Sequence, residues 1–204
     1  MTERKTHWEA VYTTKGDAEV SWFEASPDLS LSLLREAGLT VESSVIDIGG
    51  GMSRLVDALA AQQDHVAVLD ISAAALAKAR SRLPEAVNVE WIVSDITAWQ
   101  PSREYDFWHD RAALHFLTEE ADQQAYLNAL NAAVRPGGKV VIGTFAPDGP
   151  EKCSGLPVVR HDARSLERFL GPGFRLIAEH RHDHETPWQA VQRFQFSTFE
   201  KNGS

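Results

Sequence analysis

Apolar residues recur along this chain at two spacings. Short apolar runs of strand character stand at 43–48 (SSVIDI), 65–71 (HVAVLDI), 87–95 (VNVEWIVSD), 105–109 (YDFWH) and 139–146 (KVVIGTFA). Between them lie stretches with helical spacing: SRLVDALAAQ (53–62), the alanine-rich SAAALAKARSRL (72–83) closed by Pro84, and TEEADQQAYLNALNAAV (118–134). Strands that alternate with helices predict βαβ crossovers and a parallel sheet covered on both faces. Such crossovers are almost always right-handed, which gives a doubly wound sandwich. RPGG (135–138) predicts a turn before the fifth strand. After a loop and a short helix near 162–170 the pattern changes. FRLIAEHRHDH (174–184) and VQRFQFSTF (191–199) alternate, with Phe194 and Phe196 set between Arg193, Gln195 and Ser197. Two such runs joined by a short link predict a hairpin, hence an antiparallel edge. Residues 1–38 read as helical, in pieces at 4–14 and 26–37 around KGDAEVSW, with Gly38 as the stop. The predicted fold is therefore α/β: a doubly wound mixed sheet of five parallel strands plus a carboxyl-terminal antiparallel pair, preceded by a helical amino-terminal segment.

Length and composition narrow the function classes. The 204 residues suit one domain, with 1–38 as an appendage of a body at 39–204. The net charge of -9 repels phosphate backbones and anionic headgroups, so neither nucleic acid nor a membrane surface is an expected partner. The single cysteine, Cys153, rules out an intramolecular disulfide. The charged start MTERKTHWEA lacks an apolar signal core, and no apolar run reaches the roughly 18 residues of a membrane span. The expectation is a cytoplasmic protein, a monomer or weak homodimer.

The strongest local signal is SVIDIGGGMSRL, a strand, then Gly49-Gly50-Gly51, then a helix. Glycines let backbone approach a ligand closely, and a helix start offers free N–H groups. A dinucleotide fingerprint needs a third glycine at its sixth position, where Arg54 stands, which opposes a nicotinamide cofactor. Asp47, two residues before Gly49, would repel a pyrophosphate and suits a cationic ligand. DIGGG resembles the D/E-x-G-x-G motif of class I S-adenosylmethionine (SAM)-dependent methyltransferases. LDIS (69–72), SDI (94–96) and RPGGKVVIG (135–143) resemble three further motifs of that family, in the same order and spacing. The seven-strand plan agrees.

The resemblance, which covers about 43–200, implies SAM as cofactor and S-adenosylhomocysteine as product. Asp47 would attract the ammonium of the methionine part. Gly49 and Gly51 would pass close to its carboxylate and ribose. Asp70 would accept both ribose hydroxyls, Asp95 the adenine amino group, and Ile71 and Ile96 would sandwich the base. Gly50, where many relatives carry another residue, is expected to matter little. The alternative for Asp47 and Asp95 is a helix or turn cap, and for Asp70 a turn residue. The opening HWEAVYTTKGDAEVSWF (7–23) resembles the W-x-x-x-Y…W start of a branch of small methyltransferases that includes protein-lysine methyltransferases with a helical lid. Trp8 and Tyr12, one turn apart, would join Trp22 over the sulfonium or the substrate. The alternative is an amphipathic helix packed on the core.

In such sheets ligands lie beyond the carboxyl ends of the strands. The fourth strand ends near His109, so His109, Asp110 and Arg111 are expected at the methyl end of the cofactor, with His115 in the loop beyond. His115 is the candidate base, because its unperturbed pKa lies nearest neutrality; a histidine bonded to a loop carbonyl is the bland alternative. Asp110 is the candidate for positioning a substrate amine or the cofactor. Arg111 would grip a carboxylate, or simply pair with Asp106 or Asp110. Lysine methyltransferases carry a D-K-G-x-x-D-like stretch here. DRAALH departs from it at Ala112 and His115, which favours a small-molecule acceptor (a thiol, amine or carboxylate) over a protein substrate. A SAM-binding regulator without catalysis is the reading from another class. His180, His182 and His184 share one strand face but are spread too far for one ion, so no metal is expected. Cys153 is read as a pocket-wall residue, since methyl transfer from SAM needs no protein nucleophile.

Overall fold

The computed structural model describes residues 2–83 and 88–203, with only the backbone of Asp17. Pro84 and Val87, both used above, lie outside the described residues. Strands β1 (Ser44–Ile48), β2 (His65–Asp70), β3 (Val89–Val93), β4 (Tyr105–Arg111) and β5 (Val134–Phe145) are followed by a small hairpin, β6 (Lys152–Cys153) and β7 (Leu156–Pro157), and then by β8 (Phe174–Glu185) and β9 (Val191–Lys201). Seven of them form one sheet in the order β3-β2-β1-β4-β5-β9-β8. The β1 to β5 pairings are parallel, while β9 runs antiparallel to both β5 and β8. The chain winds outward in both directions from β1, so the ends of β1 and β4 border the crevice where ligands bind in such sheets.

Alternation along β1 divides the interior in two. Ile46 and Ile48 face a core with Trp108, Tyr126, Leu130, Ile142 and Leu166, under α5 (Glu120–Ala133) and α6 (Ala163–Leu170). Val45 faces the other core with Val68, Phe107, Val141 and Phe196, under α2 (Asp28–Glu36), α3 (Leu55–Ala60) and α4 (Ala73–Arg80). All five residues of β1 are buried, as a central parallel strand requires. The first helix, α1 (Glu3–Thr14), joins neither core. Its Trp8, Val11 and Tyr12 pack on Val20, Met52 and Ala75, over the carboxyl edge of the sheet.

Three local features depart from the sequence expectation. β4 continues two residues past His109, to Arg111. RPGG does not end before β5 but forms an irregularity inside it, between the pairs Tyr105↔Val134 and Phe107↔Lys139. Gly138 is needed there, because a Cβ would lie 2.9 Å from the Arg135 carbonyl and 3.1 Å from that of Asp106. The loop after β5 holds the β6–β7 hairpin, turned by Ser154 and Gly155 at φ 51° and 80°. Two successive positive φ values are those of a type I′ turn.

Candidate active site

The loop from β1 to α3 forms the floor of a cavity at the carboxyl ends of β1, β2 and β4. Gly49 and Gly51 sit at φ 64° and 49°, where side chains are strained. A Cβ on Gly49 would lie 2.7 Å from Ala113 Cβ. On Gly51 it would meet the Tyr12 hydroxyl at 2.8 Å and Asp70 Oδ2 at 3.2 Å. Gly50 corrects an expectation. A Cβ there would lie 2.5 Å from Val68 Cγ1 and 2.6 Å from Asp47 Oδ2, so the middle glycine is as constrained as its neighbours.

Asp47, buried at 2 % exposure, stands at the centre of this floor. Its Oδ1 lies 2.7 Å from His109 Nδ1, and His109 Nε2 lies 3.0 Å from Ser30 Oγ on α2. Its Oδ2 is buried with no hydrogen-bond partner, on a residue that borders the cavity. A buried carboxylate oxygen without a donor is costly, and a cationic ligand would supply one. Asp70, at the end of β2, accepts the Ser72 N–H at 2.8 Å. Burial raises its pKa to about 7, against the opposing pull of the Ser72 and Gly51 N–H groups.

Ile71, Asp95 and Ile96 also line the cavity. Asp95 Oδ1 accepts the Thr97 N–H at 3.0 Å and the Thr97 hydroxyl at 2.8 Å. It also meets Arg4 of α1 at 3.2 Å, and Arg4 reaches on to Asp122 of α5. Glu9 caps the other end of the seam, accepting the Ser72 hydroxyl at 2.8 Å and the Ala74 N–H at 3.2 Å. Thus α1 is fastened over the cavity near its start and at its middle. Its aromatic face completes the wall: Trp8 lies 5.6 Å from Trp22 and 4.9 Å from Phe116 between ring centroids, and Tyr12 6.1 Å from Trp22. The side chains that pack α1 on the body also line the cavity.

Residues 45–138 match a family described as a methyltransferase domain. The match takes in a little under half of this chain. An uncharacterized methyltransferase of Mycobacterium tuberculosis is 28% identical over 144 residues, which is 70% of this chain and 66% of that protein. A trans-aconitate 2-methyltransferase of Paracidovorax citrulli is 34% identical over 126 residues, 60% of this chain and 45% of that protein. The matched stretch thus spans between about half and two thirds of these relatives' length. Among solved structures, the N-methyltransferase NodS of Bradyrhizobium japonicum in complex with S-adenosylhomocysteine superposes with a TM-score of 0.74 at 14% identity, covering 98% of each chain. The α/β fold with five parallel strands and an antiparallel hairpin is the fold of that structure.

Not every residue singled out from the sequence belongs to this cavity. Of the triplet at the end of β4, His109 and Arg111 line it and Asp110 does not. Because β4 stays extended to Arg111, Asp110 points with Trp108 to the opposite face. There it is fully buried, accepting the Ala113 and Leu114 N–H groups at 2.8 and 3.1 Å and the Tyr126 hydroxyl at 2.7 Å. Burial raises its pKa to about 6. Asp110 is a corner post of the β4 loop rather than a group that touches substrate.

His115 is corrected too. It lies in a single 3-10 turn, Leu114–Phe116, with its ring against Phe116 and Phe145 at 4.4 and 4.9 Å. Both ring nitrogens are buried without a partner, and burial lowers its pKa to about 3. Such an imidazole does not take a proton near neutral pH. The carbonyl-bonded alternative fails as well. Arg111 pairs with neither Asp106 nor Asp110. It donates to the Trp22 carbonyl at 3.0 Å and pairs with Glu24 at 2.9 Å. Cys153 lines the cavity as expected, and burial pushes its thiol up to about 11. Arg4, Glu24 and Ser30 had no local signal in the sequence. Each reaches the site through tertiary packing, Arg4 across 91 positions.

Proposed function

We propose that this chain is a SAM-dependent methyltransferase that acts on a small-molecule acceptor. The observation that carries it is the bare, buried Oδ2 of Asp47, set at the cavity floor beside glycines that leave room for nothing else. When bound, SAM supplies a methyl group on a sulfonium, an electrophile that needs no protein nucleophile. Asp47 would hold the cationic ammonium. Gly49, Gly50 and Gly51 offer backbone along the carboxylate and ribose. Asp70 would accept the ribose hydroxyls, and Asp95 the adenine amino group in partial exchange for Arg4. Ile71 and Ile96 flank the base.

Residues 1–38 act as a lid in this proposal. Trp8, Tyr12 and Trp22 exclude water and present π faces to positive charge. His109 keeps Asp47 oriented through Nδ1, with Ser30 fixing its other nitrogen. With His115 packed away from the cavity and Asp110 turned from it, the acceptor is one that offers a lone pair at working pH, a thiol, an amine or a carboxylate. Placement and desolvation then carry the rate. One relative is named for a small molecule, trans-aconitate, which supports this over a protein-lysine substrate. A cytoplasmic monomer or weak homodimer is proposed, and the net charge of -9 argues against nucleic acid and anionic membrane surfaces as partners. A screen with methyl-labelled SAM against small thiols, amines and carboxylic acids, beside a cell extract split by size, tests the proposal. Label is expected in the low-mass fraction. Label found only in protein would contradict it, and SAM bound without formation of S-adenosylhomocysteine would favour a regulator.

A further inference from the structure

A second constellation lies on the outer side of Trp22-Phe23-Glu24, where this segment meets the β8–β9 hairpin. His182 and His184, two apart on β8, project to the same face, and Glu24 closes on them from the lid segment. One ligand atom from each of the three lies within 4.8 Å of the others. His180, the third histidine of the run, is not in the group. The strand spacing that argued against a shared ion applies to all three histidines, not to two whose rings converge on a carboxylate.

The protonation pattern makes this group more than a cluster. His184 is buried at 4 % exposure, and its Nε2 lies 2.7 Å from the Ser21 carbonyl. A carbonyl only accepts, so Nε2 carries the proton and donates it. A neutral ring then presents a bare lone pair at Nδ1, 3.8 Å from Glu24 Oε1. Two acceptors thus face each other in a buried place. Arg111 Nη2, 2.9 Å from that same Glu24 Oε1, answers the carboxylate, and the His184 Nδ1 lone pair is left for an ion. The surroundings are those of ligating side chains: a backbone carbonyl fixes the far nitrogen of His184, and Arg111 holds Glu24 through Oε1, which leaves Oε2 for an ion.

We propose that Glu24, His182 and His184 form a binding site for a divalent transition-metal ion, with Zn²⁺ as the ion best matched by two imidazoles and a carboxylate. Zinc takes four ligands at about 2.0–2.2 Å from nitrogen and oxygen, so small side-chain rotations close the set and one position stays open for water or an acceptor atom. Glu24 and Arg111 also line the cofactor cavity, which places the ion against its wall. The ion would fasten the lid segment to the carboxyl-terminal hairpin. This inference does not depend on the methyltransferase activity proposed above.

The test uses the full tag-free chain, stripped with a chelator and dialysed. Zn²⁺ is titrated by calorimetry, and Co²⁺ is followed by its visible absorption. The expected result is one equivalent bound, with a rise in Tm, a loss of at least about tenfold in affinity in His182→Ala and in Glu24→Gln, and no change in His180→Ala. His182 is half-buried, so its variant is expected to fold, and circular dichroism checks each variant. No stoichiometric binding, or equal losses in His180→Ala and His182→Ala, would overturn the site.

Discussion

Gly50 shows how one absent atom shapes a site. With Asp47 Oδ2 and Val68 Cγ1 2.6 and 2.5 Å from where a Cβ would stand, Gly50→Ala must push the carboxylate or shift β2. The expected outcome is a destabilisation of about 1–3 kcal/mol by urea unfolding and a clear loss of SAM affinity. The corrected residues lead to the opposite expectation. His115→Leu puts an apolar group among Phe116 and Phe145, where the imidazole has no partner, so stability within about 1.5 kcal/mol of the parent and retained turnover are predicted. A steep loss of kcat with an intact fold would restore His115 as a base. For Asp110, strand parity was readable in the sequence. Had β4 been run to Arg111, alternation would have placed Asp110 with Trp108 and away from His109. The partners of Arg111 and Asp95 were not readable, because Glu24 and Arg4 approach from remote segments.

At the scale of elements, the repeating units of the sheet were legible because each carries its own period. β1 is a buried apolar run, β9 alternates, and α4 opens on Ser72, whose hydroxyl accepts the Ala75 N–H at 3.1 Å. What escaped was short and irregular. The β6–β7 hairpin rests on a two-residue Ser-Gly turn with little apolar pattern around it, though that dipeptide is itself a turn signal. The two-residue extension of β4 was masked by the polar letters of HDR. The amino-terminal helix gives a prediction of its own. It is fastened by Arg4 to Asp95 and Asp122 and by Glu9 to the start of α4, and its aromatic face walls the cavity. Deleting residues 1–24 is expected to abolish turnover and weaken SAM binding, measured by calorimetry on a chain shown to be folded by circular dichroism. Undiminished binding and turnover would reduce α1 to a packing element.

At the scale of the whole molecule, two buried acids among the described residues have raised pKa values, Asp70 near 7 and Asp110 near 6. In the unfolded chain both titrate near the ordinary value of about 4. Between about pH 4 and pH 7 the folded state therefore binds more protons, and these groups make stability fall as pH rises through that window. In Asp70→Asn the upper part of this fall, toward pH 7, is expected to disappear from urea midpoints measured against pH. A curve unchanged by the substitution would place Asp70 in a more solvated setting. Cofactor affinity should run the other way in the parent, strengthening as pH rises through about 7, because both ribose hydroxyls need an ionised acceptor.

The central claim is that one cradle, Asp47 above three glycines, holds SAM under the aromatic lid. Calorimetry of SAM binding at pH 8 to the parent and to Asp47→Asn tests it most directly. The amide keeps the shape and loses the charge that faces the cofactor's ammonium. One SAM per chain and a drop of at least about tenfold in the variant are predicted. No binding to the parent, or equal affinity in both proteins, would contradict the account.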